Sequence, residues 1–124
     1  MTILICEDEE IMLTALAFRM KRHGFTVFTA EDGKEAVQRI EEHQPDIIVS
    51  DIMMPHLSGL QLLEMLREEK KSDVPVIIIS ALEREETILE AFRKGANDFI
   101  AKPFKPNELI LRIKRIIQEK KLLQ

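Results

Sequence analysis

The stretch Ile47-Ile48-Val49-Ser50-Asp51-Ile52-Met53-Met54-Pro55 joins three signals: an apolar run of strand length, a carboxylate at its end and a proline just beyond. It reads as a buried strand that delivers Asp51 to its C-terminal end, where the chain turns. Working outward, the pattern recurs. Val76-Ile77-Ile78-Ile79-Ser80, introduced by Pro75, is a second fully apolar strand of the kind buried on both faces of a parallel sheet. Thr2-Ile3-Leu4-Ile5-Cys6 is another, ending against Glu7 and Asp8. Residues 25–30 alternate Phe, Val and Phe with threonines, as a less buried strand does, and residues 98–101 form a short last strand before the turn Lys102-Pro103-Phe104.

Between the strands, apolar residues recur at the helical period. Ile11, Met12, Ala15, Leu16 and Met20 predict the buried face of a helix ending near Gly24. Ala36, Val37 and Ile40 give the second helix its apolar face, and Gln44-Pro45-Asp46 ends it. Ser58 with Gly59 opens a third, buried through Leu62, Leu63 and Leu66. Ile88, Ala91 and Phe92 form the stripe of the fourth, closed by Gly95. Pro106 suits the first turn of the fifth, which carries Leu109, Ile110, Ile113 and Ile117. Such alternation predicts an α/β domain: an open parallel sheet, helices on both faces and right-handed crossovers.

A chain of 124 residues, 45% of them hydrophobic, suits one domain with a packed core and has no room for a second. Its net charge of -4 gives no support to general nucleic-acid or anionic-membrane binding. The single Cys6 excludes an internal disulfide and offers no zinc spacing, which fits a reducing compartment. The first strand is too short and too soon acidic for a signal peptide or a membrane span, so a cytoplasmic protein is expected.

In open α/β sheets the ligand crevice lies outside the C-terminal strand ends. Here those ends carry Glu7 and Asp8, Asp51, Ser80 and Lys102, residues far apart in sequence that share one edge. Three carboxylates converging without an arginine repel one another and call for a cation. All-oxygen ligands favour a hard divalent ion such as Mg²⁺, which keeps several waters and binds phosphoryl groups. Asp51 can then attack phosphorus to form an acyl phosphate, with Lys102 offsetting charge on the phosphoryl oxygens and Ser80 donating to one of them. Singly, each has an ordinary explanation: Asp8 as a helix N-cap, Asp51 as a turn former, Ser80 as a cap and Lys102 as a surface cation. Their joint placement argues for function. The side chains of Met53 and Met54 read as packing and Cys6 as a small buried residue. His23, His43 and His56 are dispersed, and Arg112, Lys114, Arg115, Lys120 and Lys121 read as a solvated face.

Four motifs follow in order: Ile5-Cys6-Glu7-Asp8-Glu9; Asp51-Ile52-Met53-Met54-Pro55 with Ser58-Gly59; Ser80-Ala81; and Gly95-Ala96-Asn97-Asp98-Phe99-Ile100-Ala101-Lys102-Pro103-Phe104. Through them the chain resembles a receiver domain of bacterial two-component response regulators along essentially its whole length. The resemblance implies a flavodoxin-like, single-domain doubly wound sheet of five parallel strands in the order 2-1-3-4-5. Residues 1–124 are then the receiver domain, and 106–124 its last helix, leading toward a linker. Asp51 would accept a phosphoryl group from a histidine kinase or a histidine phosphotransfer protein with Mg²⁺. Asp8 and the Met53 backbone carbonyl would join Asp51 on the metal, with Glu7 in the outer shell. Ser80, the Ala81 amide and Lys102 would hold the phosphoryl oxygens, a cis Lys102-Pro103 peptide aiming the lysine.

The resemblance also makes Ser80 and Phe99 the switch, the hydroxyl moving inward on phosphorylation and the aromatic filling the space behind it. Phe99 has no hydroxyl, so this switch would work by packing alone. The domain would be a signalling phosphoacceptor rather than an enzyme, promoting its own phosphotransfer and slow dephosphorylation, with no organic cofactor. Output would pass to an effector domain or protein through the face of helix 4, strand 5 and helix 5, without direct binding of nucleic acid or membrane. In winged-helix relatives that face also dimerises; Asp98 with Arg112 is kept, but Ile88 replaces a basic partner of Glu108 and Asn97 removes another charge. The alternative is a receiver-like interaction module that takes no phosphate. A flavin binder is opposed by four acids, Glu7 to Glu10, where its phosphate would sit. A phosphatase of the haloacid dehalogenase type is opposed by Glu10, which stands where a second aspartate is needed.

Overall fold

A computed structural model describes residues 1–82 and 84–122. The elements alternate as β1 (Thr2–Cys6), α1 (Glu10–Arg22), β2 (Thr26–Ala30), α2 (Gly33–His43), β3 (Ile47–Asp51), α3 (Gly59–Glu64), β4 (Val76–Ser80), α4 (Glu85–Arg93), β5 (Asp98–Ala101) and α5 (Pro106–Leu122). The sheet order is β2-β1-β3-β4-β5, and every pairing is parallel. The doubly wound sheet expected from the sequence is the one observed; residues 123–124 of the expected last helix lie outside the described residues. No described helix is long and apolar enough to cross a membrane.

Because strand side chains alternate, each central strand feeds two cores. Ile3, Ile5, Val49, Ile77 and Ile79 meet Leu13, Leu16 and Met20 of α1 and Leu109, Ile110 and Ile113 of α5. On the other face Leu4, Ile48, Val76 and Ile78 meet Ala36 of α2, Leu62, Leu63 and Leu66 of the α3 region and Ala91 of α4. At roughly 1.5–3 kcal/mol for each fully buried large aliphatic side chain, these two layers are the main stabilising term and hold the strand ends in place.

Two helix faces differ from expectation. In α1 the buried residues are Leu13, Leu16, Ala17 and Met20, whereas Ile11 is 82% exposed and Ala15 is exposed. The predicted stripe spread over about half the helix circumference. The core takes the margin holding Leu16 and Met20 and extends it to Leu13 and Ala17, leaving Ile11 and Ala15 to solvent. In α4 Ala91 is buried but Phe92 is 45% exposed, because the helix approaches the sheet through its small residue.

Two further features were not anticipated. α3 continues as a π-helical turn, Met65–Glu69, closed by Lys70 N–H donating to the Met65 carbonyl at 3.0 Å. In α5 Ile116 is buried, with Ile117 packed beside it.

Candidate functional site

Four strand ends build the site. β1 hands over to Glu7, whose N–H donates to the Ala30 carbonyl at 3.0 Å and whose side chain is buried; Asp8 beside it is exposed. β3 ends at Asp51, 5% exposed, whose Oδ1 accepts from the Met53 N–H at 3.1 Å. The chain then folds back, and the Gly59 N–H donates to the Ile52 carbonyl at 2.9 Å. A Cβ on Gly59 would lie 2.2 Å from the Asp51 carbonyl oxygen, so only glycine lets α3 begin against the backbone of Asp51. Ser58 caps that helix in a reciprocal box, its Oγ accepting from Gln61 N–H at 3.1 Å and its own N–H donating to Gln61 Oε1 at 2.9 Å.

β4 ends at the fully buried Ser80, whose Oγ accepts from Leu82 N–H at 3.0 Å. β5 leads to Lys102, whose N–H donates to the Ser80 carbonyl at 2.8 Å and whose bond to Pro103 is cis. The Lys102 ammonium donates to both Glu7 oxygens at 3.1 Å and to Asp51 Oδ2. One cation thus ties the ends of β1, β3 and β5 together.

Burial pushes the Glu7 carboxyl up to about 7; the nearby Asp51 adds to the rise and Lys102 opposes it. For Lys102 burial acts downward, but hydrogen bonds to Asp51 and Glu7 outweigh it and hold the ammonium above its ordinary value. Glu7, Asp8 and Asp51 each offer a carboxylate oxygen, all within 4.8 Å of one another. With three carboxylates facing one ammonium, the cluster carries excess negative charge and only oxygen donors, a set that fits a hard divalent cation.

The structure therefore brings together Glu7, Asp8, Asp51, Ser80 and Lys102 as the sequence expects. Ala81 and Leu82 are exposed at the rim, and Met53 is 63% exposed. Phe99 is half-buried against the core on the α4 side of the sheet. Met54 and Cys6 are buried, and burial pushes the Cys6 thiol up.

Some residues have roles that were missed. Ser50, fully buried, donates to the Asp51 carbonyl at 3.0 Å; its signal was a hydroxyl placed inside an apolar run. Arg112 is not simply solvated: it bonds Asp98 at 2.8 Å and Glu108 at 3.0 Å. Arg115 comes within 3.6 Å of Asp98, and His43 stacks on Phe28 with ring centroids 3.6 Å apart.

A parallel sheet in this order, with acids and a lysine at its C-terminal edge, defines the class on geometry. The family model of the response regulator receiver domain matches residues 3–114, and the chain belongs to that family. It is 36% identical over 120 residues to the alkaline phosphatase synthesis transcriptional regulatory protein PhoP of Bacillus subtilis, a match covering 97% of this chain and 50% of that protein. It is 38% identical over 117 residues to the phosphate regulon transcriptional regulatory protein PhoB of Escherichia coli, covering 94% of this chain and 51% of that protein. The chain thus spans about half the length of these curated relatives. Among solved structures, the Francisella response regulator 1452 receiver domain superposes with a TM-score of 0.91 at 34% identity, over 96% of this chain and 98% of that one.

Proposed function

We propose that this domain is a phosphorylation switch that accepts a phosphoryl group on Asp51 from a histidine kinase or histidine phosphotransfer protein. The observation that carries this reading is Lys102, whose ammonium bridges buried Glu7 and Asp51 beside the exposed Asp8. A nearly buried carboxylate next to a cation and a further pair of acids is poor as a mere surface ion pair and well suited to a nucleophile that receives a dianionic group.

A Mg²⁺ held by Asp8, Asp51 and the Met53 carbonyl, with Glu7 behind them, would supply positive charge facing the phosphoryl oxygens. An Asp51 oxygen attacks phosphorus; the O–P bond forms as the donor N–P bond breaks, and the electron pair leaves with the donor imidazole. Lys102 then shares its ammonium with a phosphoryl oxygen, and the Ala81 amide donates to another. The Ser80 hydroxyl, which accepts from Leu82 N–H in the unphosphorylated state, turns inward to donate to the same group. Phe99 is the aromatic that fills the space vacated by this movement.

The exposed Ile11, Ala15 and Phe18 of α1 lie on the helix that starts beside Asp8 and offer the donor an apolar seat near the site. The outward signal passes through the α4-β5-α5 face to an effector, and the domain works in the cytoplasm as a signalling phosphoacceptor.

Intact mass after incubation with acetyl phosphate and Mg²⁺ tests the proposal. One added phosphoryl is expected in the wild type and none in Asp51→Asn or with EDTA. No gain with any phosphodonor overturns the reading in favour of an interaction module that takes no phosphate.

A further inference from the structure

The loop from β3 to α3 carries Met53, whose backbone carbonyl would join Asp51 on the metal, and its middle faces outward: Met53 is 63% exposed, and Pro55 and His56 are exposed. Its two ends are tied within the segment. Met53 N–H donates to Asp51 Oδ1 at 3.1 Å, and Gly59 N–H donates to the Ile52 carbonyl at 2.9 Å. In the middle, the Pro55 carbonyl accepts from Leu57 N–H at 2.8 Å and from the N–H of Gly33, the first residue of α2, at 3.1 Å. Among the described residues, Gly33 is the only hydrogen-bond partner that the backbone of residues 53–57 draws from outside residues 51–64.

Both of these bonds meet at a strained turn. Leu57 N–H reaches back two residues to Pro55, and His56 between them stands at φ +70°, a region that a residue with a side chain enters only at a cost. Such a conformation persists only where its surroundings hold it. Gly33 is part of that hold. It is buried, and a Cβ on it would overlap Leu57 Cβ and the Leu57 carbonyl oxygen and lie 2.7 Å from Leu57 Cα, so only glycine lets α2 start against the backbone of the turn. The start of α2 is itself fixed, because Asp32 caps it, Oδ1 accepting from Glu35 N–H at 2.7 Å. Leu57 packs against the same core as Ala36 and Val37 of α2.

We infer that Gly33 is a positioning residue for the metal-facing loop. The start of α2 holds the turn at residues 55–57 and thereby sets where the Met53 carbonyl stands relative to Asp51, so a helix that supplies no metal ligand controls the affinity for the cation. The role toward the metal rests on the phosphoacceptor reading; the clasp between Gly33 and Pro55 does not.

Two measurements on the whole chain test this: Mn²⁺ binding by electron paramagnetic resonance, and amide hydrogen exchange in EDTA. The wild type is expected to bind Mn²⁺ and to protect the Gly33 and Leu57 amides. Gly33→Ala should weaken Mn²⁺ binding by about tenfold, as the loss of a group that orients a metal ligand does. It should also speed exchange at Leu57 by about tenfold while core amides of β1 and β4 keep their protection, which separates loss of the clasp from global destabilisation. Leu57→Ala removes side-chain packing and keeps the backbone clasp, so it should lower the urea midpoint yet leave Mn²⁺ affinity within about twofold. Should Gly33→Ala fail to fold, Asp32→Ala adds no atom to the contact and loosens the start of α2, with Mn²⁺ binding about threefold weaker. Asp32→Asn loses the same charge but keeps a cap acceptor and should bind Mn²⁺ as the wild type does.

Wild-type Mn²⁺ affinity in Gly33→Ala or, where that variant does not fold, in Asp32→Ala overturns the positioning role. So does a loss in Leu57→Ala as large as in Gly33→Ala, since the effect would then follow stability alone, and so does equal weakening in Asp32→Ala and Asp32→Asn, which would make it one of charge. Absence of Mn²⁺ binding by the wild type counts against the metal reading and removes the role toward the metal with it; exchange at Leu57 in EDTA then decides the clasp, which unchanged exchange in Gly33→Ala overturns.

Discussion

At Glu7 the demands of folding and of chemistry conflict within one side chain. It is 1% exposed, and its carboxyl is raised to about 7 from an unfolded value of 4.5, chiefly by burial. A raised carboxyl binds its proton more tightly in the folded state, so its contribution to stability is fully present below pH 4.5 and is lost as pH rises through about 7. In EDTA, the stability of the wild type relative to Glu7→Gln should fall by roughly 2 kcal/mol between pH 4.5 and pH 8, measured by urea unfolding at each pH. A flat difference would mean that Lys102 fully neutralises Glu7. Met53 and Leu82 raise a second question at this scale, since they are 63% and 40% exposed at the rim where, on the proposed phosphoacceptor reading, a hydrolytic water would approach the phosphoryl group. Neither can hydrogen-bond a water, and both can cover the group with apolar surface, so in-line attack should be rare. Loss of phosphate from Met53→Asn, Leu82→Glu at saturating Mg²⁺ is expected to be about tenfold faster than from the wild type. Equal rates would show that the two side chains turn away from the group.

Among the elements, the start of α3 has least room for change. Gly59→Ala would drive a methyl to 2.2 Å from the Asp51 carbonyl, and that atom belongs to backbone that cannot yield without moving the acceptor. The expected loss is about 2 kcal/mol in thermal or urea unfolding, together with slower labelling by acetyl phosphate. A stable variant labelled at the wild-type rate would mean that α3 can shift without disturbing Asp51. How far each element could be read from sequence follows from what fixes it. β3 and β4 were legible because a short, largely apolar run set off by a nearby proline has few alternatives, and the site was legible because strand ends in such a sheet share one edge. The buried face of α1 was not, since Ile11 and Ala15 are as apolar as the residues that replaced them and only packing against the sheet and α5 chooses between arcs. Arg67, whose guanidinium donates to the Ser72, Val74 and Gly95 carbonyls, was invisible because an arginine in a helix reads as surface. Nothing local announces the π-helical turn or the carbonyls that the guanidinium serves. The bridge from Lys102 to Glu7 likewise spans 95 residues and shows itself only when the sheet is assembled.

For the molecule as a whole, the balance of charge at the two ends of this signalling path makes the last predictions. At the site, Lys102 offsets part of the repulsion among Glu7, Asp8 and Asp51, so the metal-free fold is less strained than three unpaired carboxylates would make it. Mg²⁺ should still stabilise by mass action, by about 1.4 kcal/mol at tenfold over its Kd, seen as a Tm higher by several degrees. Asp8→Ala should abolish that shift, and an unchanged wild-type Tm at millimolar Mg²⁺ would count against a shared carboxylate site. On the α4-β5-α5 face proposed for output, Arg112 already pairs with Asp98 and Glu108 within the chain. Asp98 Oδ1 accepts from Arg112 at 2.8 Å and from the Phe99 N–H at 2.8 Å, and the same guanidinium bonds Glu108 at 3.0 Å. Ile88 on α4 provides no cation to recruit Glu108 across an interface. Drawing Arg112 or Glu108 into an intermolecular pair therefore means breaking an equivalent internal one, with little net gain for these partly exposed side chains. The beryllofluoride-activated domain should sediment as a monomer with a dimer Kd weaker than about 100 μM. Ile88→Lys, which restores a partner to Glu108, should tighten it by about threefold. A tight wild-type dimer lost in Arg112→Glu would show that activation frees this network, and the account of α4-β5-α5 as a face for other partners would then give way to self-association.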